Sequence, residues 1–588
     1  MNFEMKSLLV YLKDYKKESV LGPLFKLLEA SFELIVPLVV ASMIDVGISD
    51  NDKNYIIKMC LIMAGLGVTG LLSSVTAQFF AAKAAVGFAT KLRHALFAHI
   101  QSLSFSNMDA QGTSTLITRM TSDINQIQSG VNMVLRLFLR SPFIVFGAMI
   151  MAFTVDVKAA LIFVVVIPLL SVVVFGIILI SIPLFSRVQN GLDRVLGITR
   201  ENLTGVRVIR AFGKEEEEIE KFDSQTDYLK RVQVLAAKVS ALMNPLTYII
   251  INGGLIVLIY TGAVRVESGV LTQGQVVALV NYMSQILIEL VKLANLIITV
   301  TKAFACGNRV AGIFEIPTGM KDAGGTLKEG QEKGTIDFEH VSMRYHEGGE
   351  EALSDVTFHA GRGETIGVIG GTGSGKTTLV HLIPRFYEAE KGSIKIDGAD
   401  IREYDLTALR DKVGIVMQKA VLFKGSIRDN LLWGNENASE EELWTALEIA
   451  QAKEFVLQKE GGLDAPVEQE GRNLSGGQKQ RLSIARALVK KPEILILDDS
   501  ASALDYATDA KLRRAVREMP FETTVFIVSQ RASSLMHADR IIVLDDGCVA
   551  GIGTHGQLLK GCEAYQEIYY SQFERPADQQ SGKASMEH

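Results

Sequence analysis

Residues 365–380 read TIGVIGGTGSGKTTLV. A strand-like apolar run ends in a glycine-rich loop, and the loop opens a helix. The pattern G-x-x-x-x-G-K-T spans Gly370, Gly371, Thr372, Gly373, Ser374, Gly375, Lys376 and Thr377, with Thr378 next. Glycines let successive backbone N–H groups point at phosphate oxygens, and the positive end of the following helix adds to them. Lys376 is a point charge for β- and γ-phosphates, and Thr377 offers a hydroxyl to Mg²⁺. Strand, loop and helix in this order predict an α/β P-loop ATPase domain that takes ATP.

Two further stretches lie downstream. Residues 494–499 read ILILDD. A continuous apolar run suits a strand buried on both faces of a parallel sheet. Asp498 then stands at its carboxyl end, where open α/β sheets bind ligands, and its expected role is a Mg²⁺ contact. Residues 473–481 read NLSGGQKQR and lead into LSIARALV. Ser475, Gly476 and Gly477 would open that helix and present N–H groups to a phosphorylated ligand.

The chain has 588 residues, 48% of them hydrophobic and 21% charged. The length exceeds one domain, and the composition excludes a disordered or collagen-like chain. A net charge of -6 gives no nucleic-acid signature. Cys60, Cys306, Cys548 and Cys562 are scattered, which predicts reduced, mostly buried thiols and no zinc site. The averages hide a split. Six apolar stretches, roughly 18–47, 55–86, 131–156, 158–184, 241–265 and 274–304, each meet the ~20 residues that a membrane helix needs. The basic segments 87–130 and 185–240 contrast with short loops at 49–54, 155–158 and 264–272. The positive-inside rule makes the basic segments cytoplasmic, together with the Lys6, Lys13, Lys16 and Lys17 end. That N-terminus reads as an amphipathic elbow on the membrane. The expected organisation is a six-helix, all-α transmembrane domain over 1–306 whose helices extend far into the cytoplasm. A linker over 307–334, the ATPase domain over 335–572 and a polar tail over 573–588 follow.

The five residues Leu474–Gln478, LSGGQ, are far more specific than the P-loop. With them the chain resembles the ATP-binding cassette (ABC) transporter family, and six spans followed by one cassette resemble an exporter-type half-transporter. The resemblance implies further roles. Tyr345 stacks on adenine. Gln418 senses Mg²⁺, completing a metal set with Thr377 and Asp498. Asp505 lies in the loop that crosses the cassette dimer interface. ENLTGVRVIRAFGKEEEEIEKF (201–222) resembles a second intracellular segment with a short coupling helix that docks on the partner's cassette. The acidic run within it reads as a solvated face.

Two positions depart from the family pattern. Asp499 stands where the family has the Glu that serves as base or positions water, one methylene short. Gln530 stands where it has a γ-phosphate-contacting His, and Gln carries neither proton nor charge for that task. Both changes imply a site that binds ATP and hydrolyses it weakly. In this family each ATP lies between one chain's P-loop and the other's LSGGQ. The resemblance therefore implies a heterodimer with a homologous half-transporter that keeps Glu and His. Ser475 and Gly477 of this chain would complete that partner's working site. The expected activity is ATP-driven export of a small drug-like or lipid-like amphiphile across the plasma membrane. A nucleotide-gated regulatory membrane protein, or a peptide exporter or importer, is the alternative. Within the spans, Glu29, Glu33 and Glu289 predict either an acidic cavity for cationic cargo or internal ion pairs such as Glu289–Lys292.

Overall fold

The computed structural model describes residues 7–319, 333–345, 348–500 and 503–573. Lys6, most of the expected linker (320–332) and nearly all of the expected tail (574–588) lie outside the described residues. The chain forms two compact units.

The first unit holds Met1–Leu103 and Gln111–Pro317. Among the described residues, six helical segments are long and apolar enough to cross a membrane: Leu9–Ile48, Lys53–Gln101, Thr113–Val155, Val157–Ala211, Glu215–Glu267 and Gln273–Phe314. They run 40 to 55 residues, against the ~20 that a bilayer requires, so each has a long extramembrane part. Polar residues cap them at the short loops. Asp52 accepts from the Asn54 and Tyr55 N–H groups, and Asp156 accepts from the Ala159 N–H. Asp156 also pairs with Arg265. Thr272 caps the sixth segment, and Asp45 accepts from both the Thr272 hydroxyl and the Gly274 N–H, tying the first segment to the sixth. Small residues set the close approaches. At Gly87 a side chain would collide with the Tyr15 ring.

Three expectations change. The helix expected to stop near 306 continues to Phe314, because Cys306, Val310, Ala311 and Ile313 are buried against Leu92, Leu96, Ile124 and Ile127. The segment 201–222 contains no separate short helix. Val157–Ala211 and Glu215–Ala241 meet at a tight turn, where Gly213 takes φ 61°. Glu215–Glu218 form the first turn of the second helix, where the helix dipole favours acidic side chains. Of the four thiols, Cys60 and Cys548 are exposed rather than buried.

The second unit holds Thr318–His588 together with Ser104–Ala110. Its main sheet has six strands in the order Cys548–Gly553, Arg540–Asp545, Thr365–Gly370, Thr524–Val528, Ile494–Asp498 and Val413–Val416. All neighbours are parallel except the first pair. An antiparallel sheet built on Ile336–Met343, Leu353–Ala360 and Lys391–Ile396 shares a core with it through Phe338, Phe358 and Phe526. A helical layer, including Glu440–Ile449 and Gly476–Val489, packs on a second core centred on Leu431, Leu447 and Ile484. Ser104–Ala110 lies against this unit through Phe105, 4.5 Å from the Phe386 ring, and Asp109, which accepts from the Tyr387 hydroxyl at 2.8 Å.

Candidate nucleotide site and membrane charge cluster

Strand register assembles the site. Val528 pairs with Val368 on one side and with Asp498 on the other. The carboxyl ends of three neighbouring strands therefore meet, and each ends in a functional turn: the P-loop after Gly370, Asp499 after Asp498, and Gln530 two residues after Val528. A cavity of about 330 Å³ opens there, lined by Thr372, Gly373, Gly375, Lys376, Thr377 and Thr378 from the P-loop. Tyr345, Gln418, Asp498, Asp499 and Gln530 also line it.

The loop is shaped by backbone crowding. A side chain at Gly370 would strike the Leu544 carbonyl oxygen at 2.2 Å, and Gly375, at φ 90°, lies under the Ala352 carbonyl. The Lys376 ammonium donates to the carbonyls of Gly370 and Gly371 and lies 3.4 Å from the Ser374 hydroxyl. Burial lowers its pKa, opposed by Asp499 and Asp498. Thr377 Oγ1 donates to Asp498 Oδ1 at 3.1 Å, while buried Asp498 Oδ2 accepts no hydrogen bond. A hydroxyl and a carboxylate oxygen are the hard donors that Mg²⁺ takes. The residues present therefore fit that ion.

Asp499 has φ 44°, a left-handed conformation that Asp adopts more readily than most residues. Gln418 Nε2 donates to its Oδ2 at 3.3 Å, and burial raises its pKa, with Asp498 adding to the effect. Tyr345 stands edge-on to Tyr387 at 5.1 Å, and its hydroxyl pairs with Thr378 Oγ1 at 2.8 Å. Sequence reasoning passed over His381. It lies one helical turn after Thr377, and its Nε2 is 3.5 Å from Asp498 Oδ2. The i,i+4 spacing on the P-loop helix was the available signal.

The LSGGQ residues stand apart from this cavity. Ser475 caps Gly476–Val489 and forms a reciprocal capping box with Gln478. Ser475 and Gly476 are exposed, Gly477 and Gln478 are half-buried, and Leu474 is buried in the helical layer. Asp505 caps the helix Tyr506–Arg517. None of the six lines the P-loop cavity.

The ABC transporter transmembrane region family matches residues 19–290, and the ABC transporter family matches residues 353–502. An uncharacterized ABC transporter ATP-binding protein of Bacillus subtilis, YfiB, is 37% identical over 97% of this chain and 99% of its own length. The chain belongs to the ABC transporter family. The transporter is also 29% identical to an ATP-dependent lipid A-core flippase of Yersinia pestis, over 96% of each chain. Its fold is that of a bacterial Atm1-family ABC exporter solved with ATP bound, at a TM-score of 0.78 and 23% identity, covering 96% of this chain and 99% of that one. It is thus a multi-pass plasma-membrane ABC transporter with an exporter fold, in which ATP hydrolysis by a cytoplasmic ATPase unit drives transport of substrates.

Inside the transporter's membrane unit the acidic residues are answered by cations. Arg140 donates to Glu289 at 2.7 Å and to both oxygens of Glu33 at 2.7 and 3.0 Å. Glu289 also accepts from Lys292 and from the Ser141 hydroxyl, both at 2.8 Å. Lys26 pairs with Glu29 and donates to Ser74 Oγ at 3.1 Å. Three carboxylates face three cations, so of the two expected arrangements the structure shows the internal ion pairs, as a balanced cluster. The Glu289–Lys292 pair is present. Arg140 and Lys26 are legible as charges within apolar stretches, and Glu29 lies one turn from Lys26, but both partners of Arg140 lie on other helices.

Proposed function

We propose that this chain is one half of a heterodimeric ABC exporter, and that its own P-loop site binds Mg²⁺-ATP but hydrolyses it weakly. The observation that carries this reading is the pairing of Asp499 and Gln530 on adjacent turns of one cavity, where the family pattern has Glu and His. Thr377, Asp498 and Gln418 would hold Mg²⁺, which would neutralise phosphate charge. Lys376 and the P-loop N–H groups bind and orient the phosphates, and Tyr345 offers its ring to adenine. Asp499 is a poor substitute for the longer base. Its carboxylate sits one methylene back and is engaged by Gln418. The exposed Ser475–Gly476 helix start would meet ATP on the partner, a homologous subunit with Glu and His intact. The cargo is an amphiphile of drug-like or lipid-like kind, in keeping with the likeness to a lipid flippase.

The test is an asymmetry of mutational cost, read as ATPase of the purified assembly at saturating ATP. Gly476→Asp puts a negative charge where the helix start offers N–H donors, and its Cβ meets no atom of this chain within 4 Å. Gly477 serves less well, because a Cβ there comes within 3.1 Å of the Ala503 carbonyl. Gly476→Asp should cut turnover by about 100-fold or more, the scale of a lost transition-state donor, and Asp499→Asn by only about two- to threefold. If Asp499→Asn is the more damaging, this chain carries the main hydrolytic site and the heterodimer reading fails.

A further inference from the structure

A second cavity, of about 350 Å³, lies between the first and second spans. The two helices run antiparallel: Lys26 meets Ser74 near one end, and Gly47 approaches Ile56 near the other. The cavity is therefore polarised along its length. Glu29, Glu33 and Ser74 supply its polar part, while Val36, Met63 and Leu66 make the other end apolar. Gly67 and Gly70 line it too, and a Cβ at either would meet nothing within 4 Å. The volume is that of an ordinary small-molecule site.

The charges around the polar part are ordered. Glu29 and Glu33 line the cavity, and the cations that pair with them, Lys26 and Arg140, lie outside its lining. Glu33 is the exposed member, its side chain 44% accessible against 12% for Glu29 and 4% for Glu289. An ammonium can pair with Glu33 while Arg140 keeps Glu289. The Ser74 hydroxyl accepts from the Lys26 ammonium at 3.1 Å and keeps its own proton to donate, so an anionic group there meets a donor polarised by a cation. The cluster itself is neutral, with three charges of each sign. A ligand with net charge would leave an uncompensated ion in an apolar surround, which is costly, whereas a ligand that brings both signs does not.

We propose that this cavity binds an amphiphile with a zwitterionic head. Its ammonium lies on Glu33, its phosphate or carboxylate lies beside Ser74 and Lys26, and its alkyl chain runs along Val36, Met63 and Leu66. The proposal rests on the reading that the transporter moves amphiphiles. It does not depend on which subunit hydrolyses ATP.

The experiment is photolabelling of the full-length transporter, with whatever subunit co-purifies, in nanodiscs of phosphatidylglycerol. Three probes share one dodecyl chain carrying a diazirine: dodecylphosphocholine, dodecyltrimethylammonium and dodecyl phosphate. The phosphocholine should label peptides spanning residues 32–36 and 63–71 at least about tenfold more than either probe carrying one sign of charge, the scale of one charge-assisted contact. Glu33→Gln should reduce that labelling about tenfold. Gly67→Leu should do the same by filling the cavity while leaving every ion pair in place. Gly253→Leu, at an equally open position on the fifth segment, should leave it unchanged. Equal labelling by the trimethylammonium probe overturns the zwitterion assignment. Labelling that survives Gly67→Leu, or absence of phosphocholine labelling at these peptides, overturns the site. Because the readout is labelling and not turnover, a failed heterodimer reading leaves these outcomes intact.

Discussion

The membrane unit and the ATPase unit both bury charge, and they treat it in opposite ways. Arg140, its side chain 7% exposed, is answered by two carboxylates from two other helices. Lys376 is as deeply buried, yet among the described residues no carboxylate forms an ion pair with it, and its ammonium rests on the carbonyls of its own loop. Nearby, Asp498 Oδ2 accepts no hydrogen bond. A charge answered within the chain holds helices together. A charge left to loop carbonyls waits for a ligand, and its burial strengthens whatever ionic contact it later makes.

The contrast is sharpest at Arg140. Arg140→Ala would strand Glu289 and Glu33, and breaking a buried pair costs about 3–5 kcal/mol. The expected result is loss of folded yield or a large fall in melting temperature in detergent. The double variant Arg140→Met/Glu289→Met should recover part of that loss. If Arg140→Ala melts like the parent, the cluster is not structural and the comparison breaks.

Lys376→Ala should show the reverse profile. Without nucleotide its melting temperature should stay near that of the parent, because only contacts to loop carbonyls are lost. ATP binding, measured by fluorescence of a labelled nucleotide, should weaken about 10–100-fold, the worth of a charged hydrogen bond of about 1.5–3 kcal/mol. A Lys376→Ala protein that unfolds but still binds ATP when folded would invert the assignment.

The smallest effect belongs to charge that is neither buried nor awaiting a ligand. Glu442 lies at the surface, its side chain 36% accessible. Lys491 and the Ser439 cap at the start of Glu440–Ile449 hold its carboxyl down to about 2, from 4.5. The folded value lies below the unfolded one, so the stabilisation is complete above about pH 4.5 and fades as pH falls toward 2. Glu442→Gln should lower the melting temperature at pH 7 by roughly one or two degrees, and the gap should close across that acidic window. A gap that stays constant down to pH 2 would mean the ion pair contributes nothing.

Much of both units was legible in the sequence because the signals are local. The P-loop states its strand, loop and helix within sixteen residues, and each span states its apolar length within one stretch. The caps at Asp52, Asp156 and Thr272 lie where charge and turn residues interrupt those stretches. Less local features leave weaker marks in the sequence. Gly307 and Gly312 suggest a linker beginning near 306, whereas burial of Val310 and Ile313 carries the sixth helix on to Phe314. The coupling segment was expected as a separate short helix, and Gly213 folds it instead as a turn between two long ones. His381 and the packing of Phe105 on Phe386 were not anticipated at all, since both depend on what lies opposite.

By itself the sequence determined that this chain carries six spans and a P-loop ATPase with an LSGGQ helix. Those facts are written in residue identity, period and spacing, which need no partner in space. Tertiary structure alone decided that Arg140 joins Glu33 to Glu289, so that the three carboxylates sit in a neutral cluster rather than an acidic cavity. It also decided that Val528 lies between Val368 and Asp498, bringing three turns to one cavity. The reason is physical. Electrostatic energy depends on distances between groups more than a hundred residues apart, and strand order sets which loops meet, and neither quantity is carried by any single stretch of chain.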